Sequence, residues 1–90
     1  MMRTITTIRT EYDKFNHAEE IDYIMDVHDQ GGVTYEAVYK SVYKNGYIDR
    51  SRYRKFDNKE MGNREYKLFL ANGYKLVSKD TFVPTDMDMR

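Results

Sequence analysis

The sequence predicts an α+β fold: an N-terminal strand, three short helices and a closing antiparallel β-hairpin. Three observations carry that expectation. Residues 3–10, RTITTIRT, are rich in β-branched side chains, which suit a pleated strand. The stretch from Val33 to Tyr47, VTYEAVYKSVYKNGY, reads as one complete helix with both ends marked. Two Asn-Gly pairs, Asn45-Gly46 and Asn72-Gly73, are hairpin signals, and writing out the pairs each would impose gives opposite answers.

The stretch from Val33 to Tyr47 organises the rest. Thr34 is a favoured N-cap, with Val33 and Val38 at the two positions of a hydrophobic staple. Gly46 stands where a left-handed residue closes a helix, and Tyr47 and Val42 are spaced for the apolar contact of that close. On a helical wheel Tyr35, Val38, Tyr39, Val42 and Tyr43 fall in one arc of roughly 140°. Glu36, Ala37, Lys40, Ser41 and Lys44 fill the other side. The competing hairpin at Asn45-Gly46 would set Tyr43 opposite Ile48, Ser41 opposite Arg50, Tyr39 opposite Arg52 and Ala37 opposite Arg54. Three arginines would then lie on the face meant to be apolar, which argues for the helix.

Taken in order, the chain continues from its strand through the connection EYDKF to Asn16. There a capping box with Glu19 opens a first helix, which Gly31-Gly32 ends. Ala18, Ile21, Ile24, Met25 and His28 share its apolar face, and Glu19, Asp22, Asp26 and Asp29 form a stripe opposite. After the central helix, Ile48 and Asp49 mark the start of a third, running to about Glu60 with Tyr53 and Phe56 inward. Met61-Gly62-Asn63 breaks it. The second Asn-Gly sets Phe69 against Leu76, Ala71 against Tyr74 and Leu68 against Val77, so residues 65–71 and 74–79 are expected to pair. Residues 84–90 read as a frayed end of a single domain spanning 1–90.

Helices followed by a hairpin form the layout of a winged helix-turn-helix domain, an analogy of element order over residues 17–80 without a signature residue. In that layout the basic cluster Arg50, Arg52, Arg54 and Lys55 opens the recognition helix, with Lys40 and Lys44 nearby, so a nucleic-acid-binding regulator is the first expectation. On the wheel, Arg50 and Arg54 lie on one side, and Arg52 and Lys55 on another. The net charge is zero, yet Glu11, Asp13, Glu19, Glu20, Asp22, Asp26 and Asp29 crowd one segment against Lys14 alone. The alternative is a protein-binding regulator or inhibitor of the kind a phage or mobile element encodes, acting on a host protein through Glu19, Asp22, Asp26 and Asp29. Either could work as a homodimer.

Chemistry-bearing patterns are sparse. Cysteine is absent, which excludes disulfides, thiolate nucleophiles and cysteine metal sites. His17 and His28 on one helix would stand about 16 Å apart and share no ion. Asp86 and Asp88 match no calcium loop. No glycine-rich phosphate loop or Ser/His/Asp arrangement presents itself, so neither catalysis nor a metal or cofactor is expected. The Tyr35/Tyr39/Tyr43 stripe is read as core rather than as a stacking platform. With no apolar run of membrane-spanning length and no secretory leader pattern, a soluble cytoplasmic protein without membrane contact is the default.

Overall fold

The computed structural model describes residues 1–85. It contains β1 (Met2–Arg9), β2 (His17–Val27), β3 (Val33–Tyr43), β4 (Ile48–Lys55), α1 (Lys59–Ala71) and β5 (Lys75–Phe82). The five strands form one sheet in the order β4-β3-β2-β1-β5, with every neighbouring pair antiparallel. The first four strands meander. Helix α1 then carries the chain from the β4 edge, across one face, to the opposite edge, where β5 pairs with β1.

The expected N-terminal strand is present as β1, but the three helices and the closing hairpin are not. The segments assigned to helices are β2, β3 and β4, and the segment 65–71 assigned to a strand belongs to α1. The winged-helix layout is therefore overturned. The reason lies in spacing: residues four apart share a face on a helix and on a strand alike. Tyr35, Tyr39 and Tyr43 satisfy both periods. Only the partner strands decide, and β3 obtains them from β2 on one side and β4 on the other.

The rejected hairpin is the one that forms. Ala37 pairs with Arg54, Tyr39 with Arg52 and Ser41 with Arg50, and a bulge shifts the register before Val42 meets Ile48. Gly46 does take a left-handed conformation, at φ +97°, but it serves the β3–β4 turn. Asn72 and Gly73 end α1: Tyr74 N–H donates to the Phe69 carbonyl at 3.1 Å. Asn58 caps the other end, its side chain accepting from Met61 N–H at 3.0 Å. Gly62, read as a breaker, lies inside α1, where an added Cβ would run into the Tyr35 ring. Its missing side chain lets the helix settle on the sheet.

Strand alternation gives the sheet two unlike faces. Ile8, Ile21, Tyr23, Tyr35, Ala37 and Phe56 form the buried core, with Met61, Tyr66, Phe69 and Leu70 of α1 packed on it. Tyr23 sits 5.6 Å from the Tyr66 ring, and Tyr35 sits 5.7 Å from the Phe56 ring, in edge-on geometry that suits aromatic quadrupoles. Among the described residues, no helix lies over the other face. There Arg3 holds Asp26 through two bonds of 2.8 and 2.9 Å, and Arg9 reaches Glu20 at 3.1 Å. Lys40 bridges Glu20 at 3.1 Å and Asp22 at 2.8 Å, and the Thr7 hydroxyl donates to Asp22 at 2.6 Å. Residues 86–90, including Asp86, Asp88 and most of the expected frayed end, lie outside the described residues.

Candidate nucleic-acid interface

β4 is an edge strand exposed along its whole length. Arg50, Arg52 and Arg54 occupy alternate positions on it and therefore point to one side, the side that carries α1. The helix packs on β3 and β2, inboard of that edge. The three arginines thus overhang a groove between α1 and the sheet margin, lined by Glu19, Tyr39, Arg52, Arg54, Phe69 and Tyr74 and extending to Ser41 and Arg50.

Aromatic rings make this arginine-rich face tolerable at the sheet margin, which is what the pairing test missed. The Arg52 guanidinium lies 4.6 Å from the centroid of Tyr39, and that of Arg54 lies 4.5 Å from that of Phe56. Stacked in this way, an arginine buries a flat face and keeps its N–H groups at the water. Arg54 Nη1 also binds Glu65 at 3.0 Å. Among the described residues, Arg50 and Arg52 meet no carboxylate within ion-pair distance.

Glu65 is the polar anchor under the groove. Its carboxylate accepts from the Tyr23 hydroxyl at 2.8 Å, from the Tyr39 hydroxyl at 2.8 and 3.0 Å, and from Arg54. Burial, reinforced by the bond to Glu65, pushes the Tyr39 hydroxyl up to about 12, and raises that of Tyr23 further. Both remain neutral donors in the physiological range, and through them Glu65 holds α1 to the sheet.

The remaining basic residues of the expected set do not join this surface. Lys55 points to the opposite face, opposite Glu36. Lys40 is there too, neutralised by Glu20 and Asp22. Lys44 lies in the β3–β4 turn, 5.5 Å from the Tyr12 ring centroid. In exchange the fold adds Arg64, which lines the groove beyond Arg54. Reading residues 61–63 as a break had left Arg64 outside any element.

The acidic stripe is dispersed as well. Glu19 points to the helix side, Asp22 and Asp26 to the other, and Asp29 in the β2–β3 turn pairs with the N-terminal amine. A helix would have aligned these residues, whereas a strand separates position 19 from 22 and 26 by parity. Of the tyrosine stripe, Tyr35 is core as expected, Tyr39 floors the groove, and Tyr43 stands near Tyr47 and His17.

His28 is off the expected apolar helix face: its Nε2 meets the Thr34 hydroxyl at 3.1 Å. His17 lies between Ser41, whose hydroxyl contacts Nε2, and Asp13, 3.6 Å from Nδ1. The fold thus assembles a serine, a histidine and an aspartate that sequence spacing did not bring together. Ser41 is only 4% exposed and Asp13 is committed to the backbone N–H groups of Phe15 and His17. Those two bonds, that from His17 first and that from Phe15 second, hold the Asp13 carboxyl below its ordinary range. We read the trio as a clasp joining the β1–β2 connection to β3. Among the described residues, no group of three or more His, Cys, Asp or Glu is arranged to hold a metal ion. No helix among them is long and apolar enough to cross a membrane.

Compared with known proteins, the chain matches no family model, no curated protein and no solved structure at a significant level. The groove beside β4 therefore has to be interpreted from its own geometry.

Proposed function

We propose that this chain is a non-catalytic nucleic-acid-binding protein that holds a phosphate backbone along β4. The observation that supports this reading most is the row Arg50, Arg52, Arg54 on one side of an exposed edge strand, with two of the three free of carboxylates among the described residues. Alternate residues of a strand stand about 6.6 Å apart, comparable with successive phosphates on an extended strand. Guanidinium groups match phosphate oxygens in charge and geometry. Neutrality of the whole chain does not oppose this, because Arg3, Arg9 and Lys40 are matched by carboxylates on the far face. Charged side chains also guard an edge strand against pairing with another sheet, and the binding test separates the two roles.

Fluorescence anisotropy of labelled oligonucleotides across a salt series is the measurement. Affinity is expected to fall steeply as salt rises, with a logarithmic slope of about 0.7–0.9 per phosphate held. Replacing Arg50 and Arg52 together by alanine should lower that slope by roughly two contacts. Lys55→Ala, on the opposite face, should leave it unchanged. Binding that is absent, or indifferent to salt, defeats the proposal. The protein-capturing alternative has less support: of its four carboxylates, Asp22 and Asp26 share the open face but are paired with Lys40 and Arg3, while Glu19 faces the helix side.

A further inference from the structure

The groove is asymmetric in a way that a phosphate-holding strip alone does not require. Across β2, β3 and β4, Glu19, Ser41 and Arg50 form one rung, and Ile21, Tyr39 and Arg52 form the next. With strands about 4.8 Å apart, the acid and the arginine of the first rung are separated by about 10 Å at the backbone, the scale of one nucleotide. On the arginine side, Arg50 and Arg52 have no carboxylate among the described residues. On the other, the Glu19 carboxylate accepts no hydrogen bond within the described residues; its nearest cation-capable neighbour is His17 Nε2 at 3.7 Å. Its side chain is 47% exposed and lines the groove. The Arg52 guanidinium covers the Tyr39 ring on the floor, and Phe69 and Tyr74, with ring centroids 4.9 Å apart, supply the aromatic flank on which a base can stack.

We propose that this groove seats one unstacked base of a single-stranded nucleic acid, phosphate on Arg50 and Arg52, and that Glu19 selects a base bearing an exocyclic amino group. The inference rests on the nucleic-acid reading above and adds the ligand class. A groove with cations on one wall, a free acceptor on the other and rings between is complementary to a nucleotide end to end. Stacking on aromatic rings holds a base whatever its identity. An acidic side chain adds discrimination, because it accepts from the amino group of cytosine and finds only a carbonyl oxygen at the same place in uracil. A stacked duplex keeps its bases away from such a groove, so single strands are the preferred form.

The test compares oligo-dC with oligo-dU, which differ in the groups at the pairing edge, under mildly alkaline conditions where cytosine runs stay unfolded. Wild-type protein should bind oligo-dC about tenfold more tightly than oligo-dU, and a duplex of equal length more weakly than either. Glu19→Gln, which offers donor and acceptor alike, should shrink the preference to about twofold or less while keeping the salt slope. Equal affinity for dC and dU with the slope intact overturns the base seat and leaves the backbone reading standing. A preference for dU or for duplex, or one that survives Glu19→Gln, overturns it as well. No binding to any of the three removes the underlying reading.

Discussion

On the covered face of the sheet, the tyrosine hydroxyls under α1 are led to acceptors on that helix: Tyr23 and Tyr39 both end on Glu65, and Tyr35 ends on Asn63. On the open face, charges are many and settle among themselves, through Arg3 with Asp26 and through the chain Arg9, Glu20, Lys40, Asp22. The first arrangement depends on close packing and fails when shape changes. The second depends on charge and responds to salt, pH and charge reversal. One strand can serve both because its alternate residues belong to different solvents.

The largest effect should come from shape. Gly62→Ala puts a methyl group into the Tyr35 ring, so α1 must lift; about 2–3 kcal/mol of stability should be lost despite alanine's better helix propensity. For a domain of this size that lowers the melting temperature by roughly 10 °C or more. An unchanged or raised melting point would show that helix and sheet are not in the contact described.

Next comes the shared acceptor. Glu65→Ala strands the Tyr23 hydroxyl, which is in a residue only 1% exposed, and should cost about 2 kcal/mol in a thermal melt. It should also change the alkaline limb. Because the folded state raises the pKa of Tyr23 and Tyr39, their contribution is complete below about 10, the ordinary tyrosine value, and is lost as pH climbs toward 12. Without Glu65 the alkaline loss should be shallower. Equal slopes in the two proteins would mean that Glu65 does not set those hydroxyls.

On the open face, Lys40→Asp places a third carboxylate between Glu20 and Asp22 and should cost about 1–2 kcal/mol, partly recovered in high salt. A helix with Lys40 on its solvent arc would have tolerated the change. The smallest effect concerns acid. Hydrogen bonding to Arg3 holds the Asp26 carboxyl below its ordinary range, so its contribution is present above about 3.9 and is lost as pH falls through the depressed value. Arg3→Ala should flatten that part of the acid melting curve. A curve parallel to that of the wild type would remove Asp26 from the list of acid-sensitive groups.

What could be read from the sequence follows from what each rule measures. The β-branched run became β1, and the Asn45-Gly46 pairing test produced the true partners of Ala37, Tyr39 and Ser41, though the bulge puts Val42 and not Tyr43 opposite Ile48. That register was set aside on the premise that three arginines cannot face the side of a core. The premise fails at a sheet margin, where Arg52 and Arg54 lie flat on Tyr39 and Phe56. Spacing of four along Tyr35, Tyr39 and Tyr43 could not choose between periods. Of the candidate site, the arginines were legible as a basic cluster, and Lys55, Lys40 and Lys44 were grouped with them because proximity in sequence was taken for proximity in space. Glu65 was not legible as a site residue, because it acts through tyrosines far along the chain; Glu19 was read only as part of the acidic stripe, and its place on one rung with Arg50 follows from strand pairing.

The path of α1 has a consequence for the order in which the sheet is completed. β2, β3 and β4 find their partners through short turns, but β5 must reach β1, and Thr4 meets Thr81 across 77 positions of chain. Contacts so distant are closed late, since the intervening chain has to be ordered first. The segment that makes them also carries Tyr74 and is tethered to Phe69 at the end of α1. The aromatic flank of the groove is therefore finished in the same late step that zips β5 onto β1. Any fluctuation that peels β5 away opens that flank while leaving the arginine row of β4 in place.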